Sequence, residues 1–123
     1  MKWMPVWIAG VAMATPLVVW SGEMRASDAL PLQKGDAAKG KTIFGESCRH
    51  CHGAEADGTG EMAAYLDPPP SNLTAATTQQ KTDDQLRTTI LTGRPGTAMS
   101  GFEGALTDEQ LADVIAYLRS VTR

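Results

Sequence analysis

Cys48-Arg49-His50-Cys51-His52 is the stretch that decides how this chain reads. Two thiols three positions apart on a helical turn point the same way, and a histidine follows the second directly. This is the attachment signature of a c-type haem. Both thiols can add across the two vinyl groups of one porphyrin, and His52 is then held beneath the iron as its proximal ligand. A thioredoxin-like dithiol would need a βαβ context, which the sequence lacks. Structural zinc wants four well-spread ligands, whereas the chain offers two cysteines and two near-adjacent histidines. One covalently attached haem c, bound through Cys48 and Cys51, is the expected cofactor.

The chain has 123 residues, 42% of them hydrophobic and 20% charged, with a formal net charge of −3. One domain is the expectation at this length. Trp3, Trp7 and Trp20 all fall at the N-terminus, where Met4 to Trp20 carries no charge, Lys2 precedes the run, and Glu23 and Arg25 follow it. A basic start, an apolar stretch and a small polar exit mark a secretory signal. Residues 1–26 are expected to be that signal, cleaved between 21 and 26 at one of the small residues Ser21, Gly22 or Ala26. An uncleaved anchor is the alternative, although seventeen residues rise only about 25 Å against a bilayer core of about 30 Å. Export implies a periplasmic location, with membrane contact only if the segment is retained.

Removing the signal leaves nine basic and thirteen acidic side chains, a balance of −4. That charge excludes nucleic acid as a partner, since phosphate binding needs clustered cations. It suggests docking on a basic or largely apolar protein surface. The remaining chain has four aromatic rings, Phe44, Tyr65, Phe102 and Tyr117. A chain of this size often leans on a cofactor to complete its core.

Residues 27–33 read as a linker, and 34–123 as one all-α domain of about four short helices. Lys34 to Cys48 has a helical pattern, with Gly35 or Asp36 near its cap. Glu61 to Leu66 can make one or two helical turns. Asp67-Pro68-Pro69-Pro70 cannot lie inside a helix. Thr82-Asp83-Asp84-Gln85 and Thr107-Asp108-Glu109-Gln110 are capping boxes. The first helix carries Leu86 and Ile90 and stops at Gly93. The second carries an apolar stripe of Leu111, Val114, Ile115, Leu118 and Val121, with Leu106 and Leu111 as a hydrophobic staple and Arg119 and Arg123 at the negative end of the dipole. The long loop from Arg94 to Phe102 is a place for function. Asp83, Asp84, Asp108 and Glu109 read as helix-start charges.

From Gly40 and Phe44 through Cys48-x-x-Cys51-His52-Gly53, the proline cluster, Gly93, Met99 near Phe102, and the Thr107 helix, residues 34–121 resemble the class I c-type cytochromes, particularly small bacterial monohaem carriers. The resemblance implies a small all-α globule wrapped round the haem, its first and last helices crossing so that Gly40 and Phe44 face the stripe containing Leu118 and Tyr117. It implies that Met99, forty-seven residues after His52, is the distal iron ligand, although Ser100 stands where the family commonly has proline. Met62 is expected in the core and His50 in solvent. The resemblance also implies that a proline carbonyl, Pro69 or Pro70, accepts the free ring N–H of His52, and that Arg94 can pair with a haem propionate. The expected function is single-electron transfer between redox partner proteins, the iron cycling between Fe(II) and Fe(III) without catalysing a reaction of its own. Two alternatives stand beside it: a haem enzyme or gas- or peroxide-binding sensor with a labile methionine, and a permanent cytochrome subunit of a dehydrogenase or oxidase complex.

Overall fold

Asp36 starts the first helix by accepting hydrogen bonds from the backbone N–H groups of Ala38 and Lys39 at 2.8 and 3.4 Å. In the computed structural model, which describes residues 34–122, that helix is α1 (Ala37–Ser47). It is followed by α2 (Arg49–His52), a 3-10 turn (Ala63–Tyr65), α3 (Ala76–Gln79), α4 (Asp83–Thr92) and α5 (Asp108–Ser120). The described residues contain no strand. The expected signal segment 1–26 and linker 27–33 lie outside them.

Both capping boxes form. Thr82 Oγ1 accepts the Gln85 N–H at 3.2 Å while the Gln85 side chain accepts the Thr82 N–H at 2.9 Å. Thr107 and Gln110 repeat the arrangement with the same two distances. Each box satisfies two N–H groups that a helix start otherwise leaves unpaired. Gly93 ends α4 at φ 71°, a conformation that favours glycine. The short α3 was not expected. Nothing caps it by side chain. It is held instead by tertiary bonds, Gln79 Nε2 donating to the carbonyls of Leu73 at 2.8 Å and Leu118 at 2.9 Å.

Helix α5 organises the packing. Val114, Tyr117 and Leu118 join Phe44 and Ala56 in one buried cluster, and Leu111 and Ile115 join Leu86 in a second. Leu106 packs against the second, as the staple requires. Ile90 packs against both. The rings of Phe44 and Tyr117 sit 5.1 Å apart and tilted by 53°, so α1 and α5 do cross on the face the resemblance implied. Asp113 is buried at this crossing and accepts the Asp36 N–H at 2.6 Å. Arg119 does more than face the helix dipole, since its guanidinium donates to Asp83 Oδ1 at 2.9 Å and to the Gln79 carbonyl at 2.8 Å. No helix among the described residues is long and apolar enough to cross a membrane.

Candidate haem site

The attachment motif is one helical turn. Cys48 caps α2, and its carbonyl accepts the N–H groups of Cys51 at 3.2 Å and His52 at 2.9 Å. Three-residue spacing on this turn puts both cysteines at one crevice of about 280 Å³, which His52 and Met99 also line. Burial, and to a lesser extent Cys51, pushes the Cys48 thiol up to about 11.

A second segment fastens the turn from outside. Gly60 N–H donates to the Cys51 carbonyl at 3.1 Å and Met62 N–H to the His50 carbonyl at 2.9 Å. A Cβ on Gly60 would lie 2.3 Å from the His50 carbonyl oxygen, so glycine is what permits the approach. This placement corrects the expectation for Met62. Its backbone is bound to the outer side of the attachment turn, and the side chain is 43% exposed rather than in the core. His50 is exposed, as expected, and is paired there with Glu61, whose carboxyl it holds below the usual range.

His52 Nδ1 lies 3.0 Å from the carbonyl oxygen of Ser71. The expected acceptors, Pro69 and Pro70, are therefore not used. The Pro70 carbonyl is turned toward Gly58, where a Cβ would meet it at 2.8 Å, and the next carbonyl along the chain reaches the ring. A carbonyl can only accept, so Nδ1 carries the proton and Nε2 keeps its lone pair. Burial is the main cause that lowers the His52 pKa, the Arg94 guanidinium adds to it, and the Ser71 bond works the other way. The net shift favours the neutral imidazole, the form that binds a metal.

The Met99 loop is fastened without a proline after the methionine. Arg94 N–H donates to the Met99 carbonyl at 3.0 Å, and Met99 N–H donates to Thr97 Oγ1 at 3.2 Å. Beyond it, Phe102 N–H reaches the Ile90 carbonyl at 3.0 Å and Glu103 N–H the Leu91 carbonyl at 3.1 Å. Arg94 Nη1 donates to Ser71 Oγ at 2.9 Å. Sequence reasoning missed Ser71 and Thr97, because a backbone carbonyl and a loop hydroxyl leave no motif.

The crevice walls are mainly apolar, with Phe44, Leu73, Leu86, Ile90, Phe102 and Leu118 among them. Among the described residues no carboxylate lines it, and the cationic side chains there are Lys81 and Arg94. Asp83, Asp84, Asp108 and Glu109 stand in the first turns of their helices, away from the lining. An imidazole nitrogen, a thioether sulfur and two thiols lining an apolar slot fit a haem c, whose iron would accept such N and S donors and whose ring favours dry walls. Among the described residues no group of His, Cys, Asp and Glu can hold a separate metal ion.

The family model for Cytochrome c matches residues 37–122. Over 114 residues the chain is 35% identical to the Cbb3-type cytochrome c oxidase subunit FixP of Bradyrhizobium diazoefficiens, covering 91% of this chain and 37% of that protein. It is 36% identical over 87 residues to the dihydro-heme d1 dehydrogenase of Pseudomonas aeruginosa, covering 71% of this chain and 16% of the relative. The chain thus spans little more than a third of the length of the first relative and less of the second. Among solved structures, a chain of the Kuenenia stuttgartiensis reducing HAO-like protein complex superposes with a TM-score of 0.65 at 27% identity, covering 76% of this chain and 46% of that one.

Proposed function

The chain belongs to the cytochrome c family, and on that premise we propose that it is an exported carrier that passes single electrons between larger redox proteins. Cys48 and Cys51 in this spacing hold one haem c covalently. In the proposed assignment His52 is the proximal iron ligand and Met99 the distal one. The haem, when bound, supplies the one-electron Fe(II)/Fe(III) couple; the chain's residues position it and exclude water. His52 is oriented by the Ser71 carbonyl, which also raises its basicity. As an iron ligand, the Met99 thioether would favour the ferrous state and so raise the potential.

One observation carries this reading. Cys48, Cys51, His52 and Met99, spread over fifty-two residues of sequence, line a single apolar crevice to which no described residue contributes a carboxylate. The apolar N-terminal run supports export, with residues 1–26 as signal, 27–33 as linker and the periplasm as destination. Redox titration of the purified protein checks the carrier reading. A one-electron transition and a low-spin ferric spectrum with a far-red sulfur-to-iron band are expected. A high-spin ferric form that binds cyanide without delay and turns over peroxide would point to a haem enzyme or sensor instead.

The names of the two relatives favour a second form of the same function, a resident cytochrome subunit of an oxidase or dehydrogenase complex. The chemistry is shared, and the permanence of docking differs. Co-purification with a larger redox enzyme through a salt wash would select it.

A further inference from the structure

The loop that carries Met99 and the loop that holds the His52 ring meet through the side chains of Arg94 and Ser71, residues twenty-three apart in sequence. Arg94 Nη1 donates to Ser71 Oγ at 2.9 Å. On one side of this contact, the carbonyl of Ser71 receives His52 Nδ1–H at 3.0 Å. On the other, the backbone N–H of Arg94 donates to the Met99 carbonyl at 3.0 Å. The Arg94 carbonyl in turn accepts Thr97 Oγ1–H at 2.7 Å, and that hydroxyl accepts the Met99 N–H at 3.2 Å. Hydrogen bonds joined by the covalent frames of Ser71 and Arg94 therefore connect the proximal histidine to the distal methionine, and the Ser71 hydroxyl is where they cross between the two loops.

We propose that the Ser71–Arg94 contact is a clasp that holds the Met99 loop against the proximal wall of the crevice, so that Ser71 and Arg94 act as positioning residues governing how readily Met99 leaves the iron. The proposal rests on Met99 as distal ligand. A guanidinium donor makes this hydrogen bond stronger than a neutral pair would be. Its place between two loops, and not within one, means that breaking it releases the distal loop from the proximal wall while the bonds inside that loop, and those from Phe102 and Glu103 to α4, survive. Only the hydroxyl of Ser71 makes the clasp; the carbonyl that orients His52 belongs to the backbone. Ser71→Ala therefore opens the clasp and leaves the proximal bond in place. It also leaves the Arg94 charge untouched for any propionate that the guanidinium serves.

Cyanide binding to the ferric holoprotein tests this, because cyanide waits for Met99 to depart and its limiting rate counts the openings. Ser71→Ala is expected to keep the far-red band at neutral pH and to raise the limiting rate by up to about tenfold, equivalent to about 1.4 kcal/mol of barrier. Ser71→Thr, which retains a hydroxyl, is expected to restore the wild-type rate. Arg94→Gln is expected to speed binding as Ser71→Ala does, and the double variant to add little further. A wild-type rate in Ser71→Ala, whatever happens to its unfolding midpoint, overturns the clasp. If Arg94→Gln then still speeds binding, the guanidinium acts on the haem and not through Ser71. A wild-type protein without the far-red band overturns the ligand assignment itself, an outcome distinct from a silent Ser71→Ala.

Discussion

Gly40 in α1 rests on the backbone of Asp113 in α5, so closely that a Cβ on the glycine would lie 1.9 Å from the Asp113 carbonyl oxygen and 2.9 Å from Tyr117 Cβ. Neither neighbour can give way, because one is helix backbone and the other is buried against Phe44. Gly40→Ala must push the two helices apart and is expected to cost about 3 kcal/mol in urea unfolding. Gly45, on the same helix, has nothing within 4 Å of its would-be Cβ. Gly45→Ala should stabilise by about 0.5–1 kcal/mol through backbone entropy. Equal effects from the two variants would contradict the close crossing.

Met99 and Met62 separate by spectrum. Met99→Ala is expected to abolish the far-red band, open the iron to carbon monoxide in the ferrous form, and lower the reduction potential within the span of about 0.8 V that axial ligands command. Met62→Ala should leave the spectrum intact. Because its side chain is exposed, stability should also change by no more than about 0.5 kcal/mol. The reverse pattern would move the distal ligand to the 60–65 segment.

Two thioethers fix the haem to the chain irrespective of fold. Denatured protein should keep its haem on a gel and show a ferrohaem spectrum typical of two saturated vinyl groups. Cys48→Ala should retain haem through one thioether, with the ferrohaem band displaced toward that of a free vinyl. Complete extraction of haem from the wild type into acidified organic solvent would contradict covalent attachment.

Lys39 bonds Glu109 at 3.2 Å and ties the start of α1 to the start of α5. The Glu109 hydrogen bond and charge raise the Lys39 pKa above 10.5. A cation with a raised folded pKa stabilises fully below its unfolded value and loses that contribution as pH rises through the folded one. The stability gap between wild type and Lys39→Met should therefore be constant from neutral pH to about 10 and close above it. A gap that persists at higher pH would show that Lys39 acts through packing of its stem.

Those features with a local cause were legible in the sequence. Thr82 and Thr107 announce their helices because a capping box is complete within four residues, and Cys48-x-x-Cys51-His52 announces its chemistry because one helical turn fixes its geometry. What stayed hidden depends on distant partners. The α3 segment has two adjacent threonines and no side-chain cap, and bonds from Gln79 to Leu118 and Leu73 hold it. The His52 acceptor moved from a proline to Ser71 because the direction of a carbonyl is set by the fold around Gly58. Net charge was countable, but its distribution was not: in this acidic chain the described residues place no carboxylate in the crevice lining.

The two apolar clusters on α5, joined through Ile90, have a biological corollary. Phe44, Val114 and Leu118 of one cluster, Leu86 of the other and the shared Ile90 also line the crevice, so a porphyrin there would extend the core that α5 begins. A polypeptide this small has little hydrophobic surplus to fold around a hollow. Acquiring the cofactor and acquiring a shape are then expected to be a single event, with chains that miss it exposed to proteolysis. The amount of mature protein in a cell should therefore track iron and haem supply even when its transcript does not change.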